Sequence, residues 1–466
     1  MNKSPNILII ISDQLRHDCV GYANRYPVKT PNIDKLAREG LVFEHAYSPI
    51  PTCCPSRQSM LSGKRVESFG AYWNYDGAGG MKSPAMPEDI FTWTQGLHDH
   101  GYKNGYIGKW HVHPDKDPTS FGFDEYIPDW GADIARNETF GKVNYTNGWR
   151  GEIDPTPLQY TRTHWQAEQT IDMIERYSKE HKPWHIRLDF NEPHLPCLPT
   201  KQFADIYDPD SIPEWDNFND SFENKPYIQK QQVHSWKVDK FTWQDWKQTV
   251  ALYYSFITQM DDAIGSVINF IDNSGLDEET LIIFTADHGD MCGSHRMADK
   301  HYVLYDDVVR VPMLARWRSN IQPGTRHDGF VSASLDLAPT ILELTNIDFQ
   351  DKDLCGKSFA PLLEGKAFNN TRDCIISTFN GQQFGLYTMR MLRTKKWKYI
   401  WNTCDVDELY DLENDSTELI NLSSRDEYKD LLRELRIKLY WELKSEGDTL
   451  IGSAWLKDQL LENLKL

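Results

Sequence analysis

Two aliphatic runs that each end in an acid constrain this chain most: Asn6-Ile7-Leu8-Ile9-Ile10-Ile11-Ser12-Asp13 and, far downstream, Thr280-Leu281-Ile282-Ile283-Phe284-Thr285-Ala286-Asp287. Neither alternates apolar with polar, so each reads as a strand buried on both faces, as in a parallel sheet covered by helices. Helical signals separate them. Thr30-Pro31-Asn32-Ile33-Asp34-Lys35-Leu36-Ala37-Arg38-Glu39-Gly40 has a cap, Pro at its first position and a terminal Gly. Val250, Tyr253, Tyr254, Ile257, Met260, Ile264, Val267, Ile268 and Ile271 recur at helical spacing until Ser274-Gly275 stops them. The pattern predicts an α/β fold: a large doubly wound mixed sheet sandwiched by helices, with a ligand site at the carboxyl edge of its strands.

At 466 residues the chain is too long for one core. A catalytic domain over 1–374 is expected, followed by a smaller C-terminal α+β domain over 375–466. In the latter, short strands are expected at Leu386–Leu392 and Trp397–Trp401 and a helix from about Asp426 to Glu446. Trp- and Pro-rich stretches at 113–160 and 195–248 read as long loops over the sheet edge, the usual place for lids. The net charge of -19 argues against a nucleic-acid partner, which would be met by clustered Lys and Arg. No stretch approaches the ~20 apolar residues of a membrane span. The apolar run at Ile7–Ile11 is too short for a secretory h-region. A cytoplasmic location is therefore expected, or a periplasmic or secreted one if a leader has been removed. Eight cysteines are scattered without metal-type spacing, and most are expected to be reduced and buried.

The chemistry is concentrated in short motifs. Cys53-Cys54-Pro55-Ser56-Arg57 runs on to Gly63-Lys64 and, read plainly, is a short helix with Pro in its first turn and Gly past its end. A buried structural cysteine would suit it. A thiolate phosphatase of C-x5-R type would not, because Ser59 and Met60 stand where its Arg would be needed. Asp13-Gln14 and Asp287-His288 close the two strands and can converge on a divalent cation beside residue 53. Either pair alone reads as a strand-end turn. Gly108-Lys109-Trp110-His111, Pro193-His194 and Asp299-Lys300-His301 each follow a strand-like stretch or strand end. A lone His is more often structural, and a lone Lys more often solvated.

In their order along nearly the whole chain, these motifs resemble the formylglycine sulfatases of the alkaline phosphatase superfamily. Asn6 to Gln14, Thr30 to Ala37, Cys53 to Lys64, Gly101 to His111, Tyr253 to Gly265, Thr285 to Asp290, Val309 to Met313, Leu335 to Thr340 and Glu408 to Leu412 carry the resemblance. It implies that a formylglycine-generating maturation enzyme converts Cys53 to an aldehyde, whose hydrate binds the metal through one hydroxyl and attacks sulfur with the other. Arg57 would hold that diol ionised; Asp13, Gln14, Asp287 and His288 would complete the metal shell with residue 53. Lys109, His111, His194 and Lys300 would surround the sulfate, one of them protonating the departing alkoxide. Deprotonation of the second hydroxyl, to His111, would then regenerate the aldehyde.

Many sulfatases carry two acids at the first strand end and Asn at the second, whereas Gln14 and His288 stand here. One carboxylate fewer keeps calcium the first choice but leaves magnesium or manganese open. The same pairing is found in phosphonate monoester hydrolases and choline sulfatases, which supply the runner-up reading of a phosphonate monoester or phosphodiester hydrolase. The Lys109–His111 pair favours a sulfate monoester. A third reading, a binding protein with a degenerate site, conflicts with the joint presence of Cys53, Arg57, Lys109, His111, His194, Asp287 and Lys300. Trp73, Trp130, Trp149, Trp236, Trp243 and Trp246 fall in loop-like segments; aromatic faces stack on sugars, which points to a small or oligosaccharide sulfate ester. Trp73, His295 and Arg296 are the candidates for substrate contact beyond the sulfate. A homo-oligomer is left open.

Overall fold

The computed structural model describes residues 4–76, 85–368, 372–381 and 385–465. Its main sheet has eight strands: β1 (Asn6–Asp13), β2 (Leu41–Tyr47), β3 (Lys103–Gly108), β4 (Glu125–Pro128), β5 (Trp184–Pro193), β6 (Thr280–Ala286), β7 (Met313–Arg316) and β8 (Thr325–Ser332). They lie in the order β4-β3-β5-β1-β6-β7-β2-β8. β1 pairs in parallel with both β5 and β6, so the two acid-ended runs are neighbours, in register from Asn6 against Thr280 to Ser12 against Ala286. β7 runs antiparallel to β6 and β2, which makes the sheet mixed. Every residue of β1 and β6 is buried, as uninterrupted aliphatic runs require.

Helices cover the sheet in two groups. Pro31–Glu39, Arg162–Ser178 and Trp243–Asn273 pack together, as do Cys53–Ser62, Trp93–Asp99 and Leu337–Leu344. The helix Trp243–Asn273 starts a full two turns before the apolar stripe that marks it in the sequence. Thr242 and Asp245 form a reciprocal capping box, which satisfies the first backbone N–H groups and fixes the start. Trp243 and Trp246 therefore lie on a helix, not in a loop, and Trp246 is buried. The expected loop at 195–248 likewise contributes Trp215, Phe218 and Val233 to the main core, and Trp149 and Trp236 pack with Phe241 and Trp246 as one aromatic cluster. The 113–160 stretch includes a helix, Trp130–Thr139.

A second, antiparallel sheet follows, built from β9 (Cys374–Phe379), β10 (Met389–Thr394), β11 (Trp397–Asn402) and β12 (Glu408–Asp411). The helix Lys429–Ser445 lays Leu432, Leu435, Leu439 and Leu443 on it, forming a core with Ile376, Leu392 and Trp401 that is separate from the main one. This sheet reaches back to the main body: Ser377 Oγ donates to the Ser48 carbonyl at 2.6 Å and Thr378 N to the Pro49 carbonyl at 2.9 Å. Among the described residues no helix is long and apolar enough to cross a membrane.

Candidate active site

The site is built where β1, β6 and one helix N-terminus meet. β1 ends at Asp13, and Gln14 turns the chain away with φ 69°. Its backbone N–H donates to Asp287 Oδ1 at 3.1 Å, so one strand end is tied to the next. The helix Cys53–Ser62 enters beneath, all ten residues buried, and ends at Gly63, whose φ of 67° suits a residue without a Cβ. Cys53 is its first residue. The thiol lies 3.6 Å from Asp13 Oδ1, 3.2 Å from His288 Nε2 and 3.1 Å from Lys300 Nζ. Burial alone pushes that thiol up, but Lys300, Lys109 and His288 outweigh it and hold it well below the ordinary thiol value.

Arg57, one turn further along, is wholly buried among acids. Nε donates to Asp287 Oδ2 at 2.9 Å, Nη1 to Asp189 Oδ2 at 2.6 Å and Nη2 to Asp13 Oδ2 at 3.2 Å. Its guanidinium thus hydrogen-bonds three carboxylates rather than residue 53, which differs from the role that the resemblance implies. Asp189, which no sequence motif marks, also accepts from Arg187 at 2.8 Å and the Tyr106 hydroxyl at 2.7 Å.

Cations face the thiol from above. Lys109 Nζ sits 2.5 Å from Asp13 Oδ2. Lys300 Nζ donates to Gln14 Oε1 at 2.8 Å and reaches His194 Nε2 at 3.0 Å. An ammonium can only donate, so His194 Nε2 accepts and its Nδ1 carries the proton donated to the Leu195 carbonyl at 2.7 Å. Gln14 is oriented in turn by Asp290 and Asp299, which accept from its Nε2 at 2.7 and 3.0 Å. Both lie in motifs visible in the sequence, Asp290 closing the Thr285–Asp290 segment and Asp299 opening Asp299-Lys300-His301, but their bond to Gln14 is a contact of the fold. Burial raises the Asp299 carboxyl, yet Lys300 and His301 overcome that and hold it far below the usual carboxylate range. His111 Nε2 lies 3.2 Å from Asp76 Oδ1 and its ring is edge-on to Tyr75. Burial lowers its pKa, but Asp76 and Cys53 raise it above the ordinary value.

Lys109 is placed by Gly108. At that strand end φ is 104°, and a Cβ would lie 2.0 Å from the Asp189 carbonyl. Gly108→Ala is expected to cost about 2–3 kcal/mol of stability and to lower turnover, because the chain must shift exactly where Lys109 leaves the strand. Thermal unfolding and kinetics check this; an unchanged midpoint with unchanged turnover would refute the close-approach account.

Cys53, Lys109, His111, His194 and Lys300 line one cleft of about 820 Å³, with Trp130 and Trp236 on its walls. Asp13, Gln14, Arg57, Asp287 and His288 lie buried beneath. Three candidates fall elsewhere. His295 is buried, bonded through Nδ1 to Asp220 Oδ2 at 2.6 Å and stacked on Tyr305. Arg296 donates to the Asp239 carbonyl, and the Trp73 indole donates to the Asn380 carbonyl. None of the three lines this cleft.

The residues fit a divalent cation. Asp13, Cys53, Asp287 and His288 present ligand atoms within 4.8 Å of one another, all buried. His288 Nδ1 is taken by the Gly289 carbonyl at 2.9 Å, which leaves Nε2 facing the cluster. Burial and the neighbouring Asp13 push the Asp287 carboxyl up, the strain of two adjacent buried acids that a cation relieves.

Comparison with known proteins gives a consistent result. Residues 5–347 match the sulfatase family model, and residues 293–445 match the model for the C-terminal part of N-sulphoglucosamine sulphohydrolase. An arylsulfatase of Clostridium perfringens is 30% identical over 99% of both chains. An ulvan-active sulfatase of Formosa agariphila is 26% identical over 95% of this chain and 82% of its own. Among solved structures, a complex with the substrate D-glucosamine-2-N,6-O-disulfate aligns with TM-score 0.78 at 21% identity, covering 96% of this chain and 99% of the other. The phosphonate monoester hydrolase of Agrobacterium radiobacter aligns with TM-score 0.80 at 22% identity, covering 95% and 96%.

Proposed function

Because the chain belongs to the sulfatase family and is a sulfuric ester hydrolase, we propose that it cleaves a sulfate monoester of a saccharide, using a formylglycine made from Cys53 and a divalent cation held by Asp13, Asp287 and His288 beside residue 53, with Gln14 as the further ligand that the resemblance implies. The observation that carries this reading is the position of Cys53, at the first turn of a buried helix with Lys300 and His288 within 3.2 Å of its sulfur. The thiol stands where the hydrated aldehyde would present two hydroxyls on one carbon, one to attack sulfur and one whose deprotonation expels sulfate. Calcium is our choice of ion, since the shell offers carboxylate and amide oxygens; magnesium and manganese are the alternatives.

Around the ester, Lys109 and Lys300 would neutralise the sulfuryl oxygens as charge builds in the transition state. Lys300 supplies the proton for the departing alkoxide, its ammonium poised by Gln14 Oε1 and His194 Nε2. His111, polarised by Asp76, takes the proton of the second hydroxyl. Arg57 keeps Asp13 and Asp287 ionised and fixed as ligands. A saccharide leaving group is supported by relatives named for ulvan and glucosamine sulfates and by aromatic walls in the cleft. The phosphonate monoester hydrolase likeness keeps a phosphodiester as the competing substrate.

Mass spectrometry of the Cys53 peptide, paired with hydrolysis of an aryl sulfate and an aryl phosphodiester in calcium, tests the reading. An aldehyde at 53 with the sulfate preferred is expected. A preference for the phosphodiester would promote the competitor, and brisk sulfate hydrolysis by material carrying only the thiol would sink the mechanism.

A further inference from the structure

The cationic floor of the cleft is bordered by acids as well as by arginines. A second cleft of about 620 Å³ adjoins the first, and Lys109, Asn191, His194 and Leu195 line both. Glu192 lines this second cleft, only 3% exposed, and its Oε2 has no hydrogen-bond partner among the described residues. Asn191 Oδ1 is likewise buried and without a partner. Asp129 lines the first cleft just before the helix Trp130–Thr139, and its side chain makes no cap there. Arg162 and Arg136 line the second cleft too; Arg162 pairs with Asp133 at 2.9 Å and Arg136 with the same acid at 3.1 Å, while Arg162 keeps a buried Nε without a partner among the described residues. Among the described residues neither Glu192 nor Asp129 has a cation within 4.0 Å. Burial pushes the Glu192 carboxyl up to about 7, with Arg162 only partly offsetting it.

Further out, Asp76, Asp115 and Asp117 rim the first cleft, while Lys116 there sits 3.3 Å from Glu88. Trp130, 59% exposed, offers an indole face beside them. A leaving group bearing a second sulfate would set anion against carboxylate, which costs affinity and excludes such partners. A leaving group with an ammonium would satisfy the free acceptors, add to the counter-charge that Arg162 only partly supplies and meet the indole.

Resting on the sulfatase reading above, we infer that the substrate is zwitterionic: a sulfate ester whose leaving group carries a positively charged nitrogen, an unacylated amino sugar being the source that best fits acceptors in need of N–H donors. The sulfate goes to the cationic floor and the ammonium to Glu192 and Asp129.

The test compares matched esters on the full-length enzyme: glucosamine 6-sulfate against glucose 6-sulfate, and choline O-sulfate against its uncharged isostere 3,3-dimethylbutyl sulfate. The amino sugar should exceed its neutral partner in kcat/KM by on the order of tenfold, the scale of one hydrogen bond to a charged group. In Asp129→Asn/Glu192→Gln that advantage should fall to about twofold or less, with aryl sulfate turnover unchanged. Calorimetric binding of glucosamine against glucose needs no turnover, so it separates failure of this inference from failure of the sulfatase reading. Tighter binding of the amine supports the inference even where no ester is cleaved. An advantage confined to the choline pair keeps the cation and changes its source to a quaternary amine. Parity in both pairs and in binding, or an advantage that survives the double variant, overturns it.

Discussion

Cys53→Ala is expected to reduce aryl sulfate turnover by on the order of 10⁴–10⁶-fold while leaving the fold intact, as losing a covalent nucleophile does elsewhere. The physical case is the concentration of charge on one atom. Lys300, His288 and Lys109 all act on position 53, and the carboxylates beneath it are fixed by Arg57. Tyr75 and Tyr126 are the other hydroxyl or thiol groups among the described residues that line the cleft, and burial pushes both phenols up; Cys54, outside the lining, donates to the Val112 carbonyl and its thiol is likewise pushed up by burial. Turnover measured on the variant, with circular dichroism as the control for folding, decides the matter. Retention of more than about a hundredth of the wild-type kcat would show that another group attacks, since such losses are not shared among residues.

Arg57→Met is expected to destabilise the protein by roughly 3–5 kcal/mol, the range for removing one partner of a buried ion pair. Here one guanidinium serves Asp13, Asp189 and Asp287, and all four side chains have 0% exposure. Lys109, Arg187 and Tyr106 would remain, too few for three acids. The sign of the pH dependence follows. Without Arg57 the buried carboxylates have raised pKa values in the folded state, so protonation favours folding and the deficit should narrow as pH falls from 7 towards 5. Denaturant titrations at both pH values would measure this. A deficit that is absent, or that widens in acid, would mean the carboxylates are neutralised by other means.

The elements that position the site were legible because physical chemistry marks them locally. The runs Ile7–Ile11 and Leu281–Phe284 can only be buried strands, and an acid at the end of each put Asp13 and Asp287 at a common edge. Gly63 announced the end of the Cys53 helix. What escaped notice depends on pairing at long range. Asp189 looks like any polar residue in Ile186–Phe190, and only its place on β5, next to β1, sets it against Arg57. A buried-looking strand that carries both Arg187 and Asp189 was the available signal, since such charges must have partners. Asp290 and Asp299 act through Gln14, a dependence that no spacing reveals. His295 misled because Gly293-Ser294-His295-Arg296 follows the metal-site strand closely; positive φ at Gly293 and His295 turns the chain away, and Asp220 captures the ring. The loop expected at Trp243 and Trp246 gives way to a helix because Thr242 and Asp245 form a capping box ahead of the apolar stripe.

The bonds from Ser377 and Thr378 to Ser48 and Pro49 bear on the timing of biosynthesis. Ser48 and Ser377 are 329 positions apart, so a ribosome adding ~5–20 residues per second separates their appearance by roughly 16–66 s. Throughout that interval the strand closing over the segment before Cys53 does not yet exist. In the folded chain Cys53 is 1% exposed, so a modifying enzyme would have no access to its thiol. On the proposed reading, conversion of Cys53 is a race against completion of the chain, won early or lost for good.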